Sequence, residues 1–337
     1  MIRAYAAKER AGKFEQISFD PGPLGDDEVE LKVEACGLCH SDLSLLDEEW
    51  GETQFPLVPG HEVVGTVSAV GRSVTHLKSG DRVGAGWMAR SCLTCHNCMS
   101  GDHNLCPDSQ GIALGRHGGF ADAVRLQAAW AVKLPEGLDA RSAGPLFCGG
   151  ITVFSPILEF GVKPTDKVGV IGIGGLGHLA VQFLKAWGCE VTAFTSTGSK
   201  AEEARALGAH RVVDSRSKDA LKAEAGRHDF ILSTVAVPLD WNRYIAALAP
   251  KGRLHTVGVV SEPIAVPAFG LIGGQKSVSG SPVGSPAVMA KMLEFCARHS
   301  IAPYVEYMPM SQIDDAFQRL REGKPRYRIV LENDFTA

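Results

Sequence analysis

No apolar run among the 337 residues reaches the roughly 18 to 20 positions that a bilayer-spanning helix needs, so no membrane partner is expected. Lys and Arg are scattered singly, without a basic run or an arginine-rich helix, and the formal net charge is -4. Nucleic acid is therefore not an expected partner. The opening stretch "MIRAYAAKERAGKFEQ" carries charges where a secretory signal would place an apolar core, which points to the cytoplasm. Internal repeats and low-complexity linkers are missing too. What remains is globular in character, with 45% apolar and 21% charged residues. A chain of this length exceeds what one core usually serves, so two domains are expected.

Cysteine is not scarce. There are nine, and four of them crowd into the fifteen residues from Cys92 to Cys106. In a reducing compartment such clustering favours metal over disulfides.

The texture of the chain changes along its length. In the first 150 residues, "EVELKVEACG", "EVVGTVSAVG", "GDRVGAGW" and "FADAVRLQAAWAVKLP" read as short strands bounded by turns. From Asp166, "DKVGVIGIGGLGHLAVQFLKAWGCEVTAFTST" reads as apolar strand, glycine turn, helix and second strand, one βαβ unit. Helix and strand alternate onward, which predicts a parallel sheet covered on both faces. After Pro286 come two helical patterns, "AVMAKMLEFCARHSI" and "SQIDDAFQRLREGK", and a closing strand "YRIVLE". The fold class expected is α/β plus mostly β: a β-rich domain over 1–150 and 280–337, interrupted by a doubly wound α/β domain over 151–279.

Cys92-x-x-Cys95-x-x-Cys98-x(7)-Cys106 is the strongest chemical signal. Four thiolates in one short loop can close a tetrahedron around Zn²⁺ with no open position, which is how structural sites are built. The last gap departs from the ferredoxin spacing of iron–sulfur ligands. Next is Gly172-Ile173-Gly174-Gly175-Leu176-Gly177, placed between strand and helix, where bare backbone N–H groups can approach a pyrophosphate. At the end of the second strand an NAD site normally carries Asp or Glu. Here Thr195, Ser196, Thr197 and Ser199 supply hydroxyls and Lys200 a cation, while the first acid, Glu202, lies inside the following helix. That set suits an adenosine 2′-phosphate and hence NADP(H). The competing reading is a serine-rich helix cap with Lys200 in solvent.

The stretch "CGLCHSD", residues 36–42, offers two thiols, an imidazole, a hydroxyl and a carboxylate. On its own it reads as a zinc knuckle, a redox dithiol or a coincidence. Downstream lie His61 and Glu62 in "PLVPGHEVVG" and Cys148 in "PLFCGGITVFSP". A catalytic zinc needs three protein ligands and a vacant position, and two cysteines with one histidine form such a set.

Together with "HGGFADAV", "GIGGLGHLAVQFLKAWG" and "RYRIVLE", these motifs make essentially the whole chain resemble the zinc-dependent medium-chain alcohol dehydrogenases, and most closely their cinnamyl alcohol dehydrogenase branch of NADP-dependent aldehyde reductases. The resemblance implies a GroES-like catalytic domain with an inserted Rossmann domain, and two zinc ions per chain. It implies Cys39, His61 and Cys148 as ligands of a catalytic zinc with Glu62 beside the metal. Asp42 would orient His61, Ser41 would relay the alcohol proton, and His40 would lie near the cofactor pyrophosphate. Cys36 has no role in the family pattern and reads as a small apolar filler, as do Cys189 and Cys296. Trp50, Trp87 and Met88 are candidates for a substrate pocket, with plain core packing as the alternative. The substrate would be a small aldehyde or alcohol. A homodimer is implied, for which the late strands "RLHTVGVV" and "SVSGSPVG" suit edge pairing. A polyol dehydrogenase of the same fold is the nearest rival, against which Cys148 speaks because an acidic third ligand would be expected. A non-catalytic nucleotide-binding regulator is the rival from another class.

Overall fold

In the computed structural model, which describes residues 1–51 and 53–335, the chain divides into two units, Met1–Ile151 with Val283–Ala337, and Thr152–Pro282. The first is β-rich, and strand Glu28–Leu38 is its spine. Through Ala35, buried and less buried residues alternate, with Val29, Leu31 and Val33 facing the core. From Ala35 to Leu38 all four positions are buried. Period-two alternation marks a strand with one wet face, and its loss marks burial on both faces. The spine thus runs from the edge of the core into its interior, and it delivers Cys39 there.

The sheet around it runs in the order Val305–Pro309, Arg328–Glu332, Glu28–Leu38, Val63–Val70, Arg82–Ala85, Val132–Lys133, and Ala123–Gln127 also pairs with the spine. Register sets Cys36 opposite both Val63 and Leu331. Leu31, Val33, Leu38, Val67, Val83, Phe120, Leu126 and Phe317 share one core. The segment expected as one strand, "FADAVRLQAAWAVKLP", is interrupted by a 3-10 turn at Ala128–Trp130 before Val132–Lys133 resumes pairing. Helix Pro286–His299 opens the return, with Ser285 accepting from the Val288 N–H and Pro286 in the first turn, where its missing donor costs nothing.

The second unit holds a six-stranded, all-parallel sheet ordered Arg211–Asp214, Glu190–Thr195, Lys167–Ile171, His228–Ser233, Leu248–Thr256, Ser277–Gly280. This is the doubly wound order whose direction reverses beside the first strand, Lys167–Ile171. Strand interiors such as Val168, Val170, Ile231 and Leu232 are fully buried, as a sheet covered on both faces requires. One expectation is corrected. "RLHT" lies in Leu248–Thr256, an internal strand, because its run of buried residues is covered by pairing on both sides. Of the two segments, Ser277–Gly280 alone lies at a sheet edge.

His255 ties that edge to the sheet. Fully buried, it hydrogen-bonds Ser279 Oγ through Nδ1 at 2.9 Å and Ser281 Oγ through Nε2 at 3.0 Å, and it lies against Phe160 and Phe230. Burial, with Arg253 nearby, pushes its pKa down to about 4. The unfolded chain therefore takes up a proton first as pH falls, so this stabilisation is complete above about 6.5 and is lost progressively toward 4. We expect a difference on the order of 2–3 kcal/mol between the two limits. Urea unfolding of the parent and of His255→Gln, which cannot titrate, should show the variant clearly weaker at pH 7.5 and the gap closing by pH 5.

Candidate metal and cofactor sites

The spine strand ends at Leu38, and Cys39 turns the chain into helix His40–Leu46. Cys39 is extended and serves as N-cap, and Asp42, three residues on, accepts from its N–H at 2.9 Å, so a reciprocal cap fixes the turn. The other Asp42 oxygen accepts from the Gly60 N–H at 2.8 Å and from His61 Nδ1 at 2.9 Å. Three donors satisfy a fully buried carboxylate, and the helix start is bound to the segment that carries His61.

Bound by Nδ1, His61 keeps its Nε2 buried and without a hydrogen-bond partner among the described residues. That atom faces Cys39 Sγ and Cys148 Sγ, which lie 3.9 Å apart, and the ligand atoms of Cys39, His61, Glu62 and Cys148 all fall within 4.8 Å of one another. Zn–S bonds of about 2.3 Å at tetrahedral angles set sulfurs about 3.8 Å apart. Two sulfurs at that spacing, with an orphaned imidazole nitrogen, fit zinc. A hydrogen bond from Cys148 and the charge of Arg328 hold the Cys39 thiol well below its ordinary range against the effect of burial, as a thiolate ligand requires. Burial opposes the charged form of His61, but Asp42 beside it lifts its affinity for a proton well above the ordinary value.

Glu62 is fully buried. Burial pushes its pKa up to about 7, although Arg328, only 4% exposed, pairs with its Oε1. Its Oε2 is a second orphan beside the cluster. Space for it exists because residue 37 is glycine: a Cβ there would stand 2.0 Å from Glu62 Oε2. Arg328 was not singled out in the sequence. Its signal is a cation inside an apolar strand, which is rarely buried unless paired.

Ser41 Oγ lies 3.7 Å from Cys39 Sγ, and His40 is exposed at the first helical position. Trp87 meets the His61 ring edge-on at 4.8 Å, and Trp50, 44% exposed, meets Trp87 at 6.0 Å. Trp87 and Met88 line a recess together with Trp130, Phe147, Val283 and Met289. The last four were not expected, since they come from distant parts of the chain. Trp130 Nε1 donates to Ser91 Oγ at 3.2 Å, so the indole presents its apolar body to the recess. Cys36 is fully buried in the spine, outside the cluster.

Cys92, Cys95, Cys98 and Cys106 converge in a separate lobe, with Cys92 and Cys98 sulfurs 3.9 Å apart. The backbone N–H groups of Thr94 and Cys95 lower the Cys92 thiol to about 6, while burial raises Cys98 to about 12. Four sulfurs with no further donor form a closed set, suited to a structural zinc.

In the second unit, Lys167–Ile171 runs into the glycine turn and helix Gly177–Trp187. Gly172 has φ +85°, and a Cβ on Gly177 would stand 1.8 Å from the Gly172 carbonyl, so neither position tolerates a side chain. A Cβ on Gly174 would meet nothing within 4 Å, which leaves the open cradle that a pyrophosphate needs. Gly175 and Leu176 complete the turn, half-buried. Ser196, Thr197 and Ser199 are exposed beyond strand Glu190–Thr195. Thr195 is turned inward, its Oγ1 accepting from the Thr197 N–H. Lys200 does not extend into solvent: its Nζ donates to the Ile173 carbonyl at 2.8 Å.

Comparison with known proteins gives consistent matches. Residues 25–136 match the alcohol dehydrogenase GroES-like domain family, and residues 175–298 the zinc-binding dehydrogenase family. The chain is 56% identical to an aldehyde reductase of Synechocystis sp. over 99% of both chains. Among solved structures it resembles a cinnamyl alcohol dehydrogenase from Sorghum bicolor, with a TM-score of 0.93 and 38% identity over 98% of this chain and 97% of that one. It also resembles CAD from Helicobacter pylori complexed with NADP(H), with a TM-score of 0.90 and 28% identity over 98% of this chain and 97% of that one.

The two thiols of "CGLCHSD" should part company. Cys36→Ala should retain both zinc ions at a modest packing cost, whereas Cys39→Ala should keep the lobe zinc and lose the other. Metal content per chain decides it, and equal loss in the two variants would reject Cys39 as the ligand. Cys98→Ser should lower thermal stability, because the lobe has little core of its own.

Proposed function

This chain belongs to the zinc-dependent medium-chain alcohol dehydrogenases, on the cinnamyl alcohol dehydrogenase-like branch, and on that premise we propose that it is an NADP(H)-dependent aldehyde reductase that oxidises primary alcohols in reverse. The Nε2 of His61, buried without a geometric hydrogen-bond partner beside the two thiols, carries the reading, because a metal bound there would satisfy it. When bound, zinc supplies Lewis-acid polarisation of a carbonyl and the nicotinamide supplies hydride.

The remaining work falls to the chain. Cys39, His61 and Cys148 are the ligands we assign to the catalytic metal, and Asp42 fixes the His61 ring so that Nε2 faces it. The Ser41 hydroxyl, beside Cys39, passes a proton between the substrate oxygen and the exterior, with exposed His40 next in line. Glu62 brings a carboxyl group to the cluster without a full uncompensated charge, since Arg328 holds one of its oxygens. Cys92, Cys95, Cys98 and Cys106 hold the second, structural zinc.

The glycine turn takes the pyrophosphate, and the exposed hydroxyls of Ser196, Thr197 and Ser199, with the Lys200 charge, favour a 2′-phosphate at a strand end that carries no carboxylate of its own. The similar Helicobacter pylori structure, complexed with NADP(H), supports that choice. The apolar rings of Trp87 and Trp50 beside His61 support an apolar aromatic or aliphatic group on the aldehyde. Edge strand Ser277–Gly280, with Phe269 80% and Ile272 71% exposed on helix Ala268–Ile272, supports a homodimer. All nine cysteines are free, and thiolate sites need a reducing surrounding, which supports the cytoplasm. Among the described residues no helix is long and apolar enough to cross a membrane.

Zinc-loaded protein should oxidise NADPH with aromatic and straight-chain aldehydes and show little turnover of hexitols with NADP⁺, followed by absorbance at the nicotinamide band. Ser196→Asp should weaken NADPH at least tenfold, about 1.4 kcal/mol, by setting a carboxylate against the 2′-phosphate, and should improve NADH. A parent enzyme that prefers NADH would reject the cofactor assignment.

A further inference from the structure

Four successive backbone carbonyls at the glycine turn are held by side chains, and we infer that two of these side chains, Thr234 and Lys200, are positioning residues for the cofactor phosphates, an inference that rests on the dinucleotide-binding reading above. Thr234 follows strand His228–Ser233, and its Oγ1 lies 2.9 Å from the Ile171 carbonyl oxygen and 3.0 Å from that of Gly172, so one hydroxyl proton serves both. Lys200 Nζ donates to the Ile173 carbonyl at 2.8 Å. His178, fully buried in the first turn of the following helix, donates from Nδ1 to the Gly174 carbonyl at 3.0 Å.

The consequence follows from the peptide bond itself. It is planar and trans, so the N–H of each residue points opposite to the carbonyl that precedes it. Holding the Gly172, Ile173 and Gly174 carbonyls against protein groups therefore aims the N–H groups of Ile173, Gly174 and Gly175 the other way. Successive N–H groups aimed together in this way make an anion-binding concavity, which is where we place the pyrophosphate. Glycines are conformationally free, so without the clamp the turn would have to be ordered by the ligand, at an entropic cost to binding.

Thr234 also packs beneath the turn: its Oγ1 would stand 3.3 Å from a Cβ on Gly172 and 3.2 Å from one on Gly177, behind the closer obstacles of Val235 Cγ1 at 2.4 Å and the Gly172 carbonyl at 1.8 Å. Lys200 adds a coupling. Its ammonium belongs to the segment expected to meet the 2′-phosphate, yet it is anchored in the turn expected to meet the pyrophosphate. Its loss is thus felt at both phosphates, whereas a lysine serving only the 2′-phosphate would be felt at one.

Titration calorimetry on the purified protein without aldehyde tests this, using ADP-ribose, NADH, NADPH and 2′-AMP with the parent, Thr234→Val, Thr234→Ser and Lys200→Met. Thr234→Val should weaken ADP-ribose, NADH and NADPH alike, by about five- to tenfold, and leave 2′-AMP within about twofold, while Thr234→Ser restores parental binding. Lys200→Met should weaken ADP-ribose and NADH as well as 2′-AMP. Unchanged ADP-ribose binding in Thr234→Val, or a loss in Lys200→Met confined to the ligands with a 2′-phosphate, overturns the inference. So does an equal loss of 2′-AMP in Thr234→Val, which would mark general damage to the unit. A parent protein that binds none of the four ligands rejects the dinucleotide reading itself.

Discussion

Asp42 is a fully buried carboxylate on which three donors converge: the N–H of Cys39, the N–H of Gly60 and Nδ1 of His61. A carboxylate removed from water is costly, by several kcal/mol, unless its lone pairs are met. Here they are met only when the spine strand, the helix it leads into and the 60–61 segment are all in place. The same group therefore terminates a strand, starts a helix and presents an imidazole. Its four-residue reach accounts for the pattern in "CGLCHSD", in which Cys39 caps the helix, Asp42 closes the cap and Cys36, still on the strand, packs.

A second buried charge depends on the first. Glu62 follows His61 directly, so once His61 is fixed Glu62 is carried into the interior, where Arg328 from the closing strand meets it. Arg328 also donates to the Leu38 carbonyl at 3.3 Å, one residue before the metal-binding turn. The closing strand reaches that point by antiparallel pairing with the spine, Ile329 opposite Leu38. The end of the chain thus supports the site assembled from its beginning. Such a pair contributes little net stability, but removing one partner leaves an uncompensated charge and costs about 3–5 kcal/mol.

Much of the chemistry was legible in sequence because it is local. Four cysteines within one loop and glycines between a strand and a helix need only short-range geometry, and the strand, turn, helix and strand expected from Asp166 onward are found as Lys167–Ile171, the glycine turn, Gly177–Trp187 and Glu190–Thr195. What escaped is long-range. Periodicity shows that "RLHT" is a buried strand but not what flanks it, and strand order made it internal. The Lys200 side chain could have lain in solvent or on a phosphate, and only the approach of its helix to the glycine turn places it on Ile173. Arg328 and Glu62 are 266 residues apart, and no local rule pairs them. The recess has the same character, because Trp87, Trp130 and Met289 come from three separate stretches.

Trp130 belongs to two structures at once. Its indole lines the recess, and its Nε1 is bound to Ser91, the residue immediately before the first lobe cysteine. Ser91 N–H in turn donates to Gln127 Oε1, Gln127 donates to Asp27, and Asp27 accepts both Arg90 guanidinium nitrogens. The root of the four-cysteine lobe is therefore joined to one wall of the recess through buried Ser91 and Gln127, which in turn reach the half-exposed Asp27–Arg90 pair. The lobe and the recess thus share one side chain, Trp130, so a change at Ser91, next to the first lobe cysteine, reaches the recess as well as the lobe.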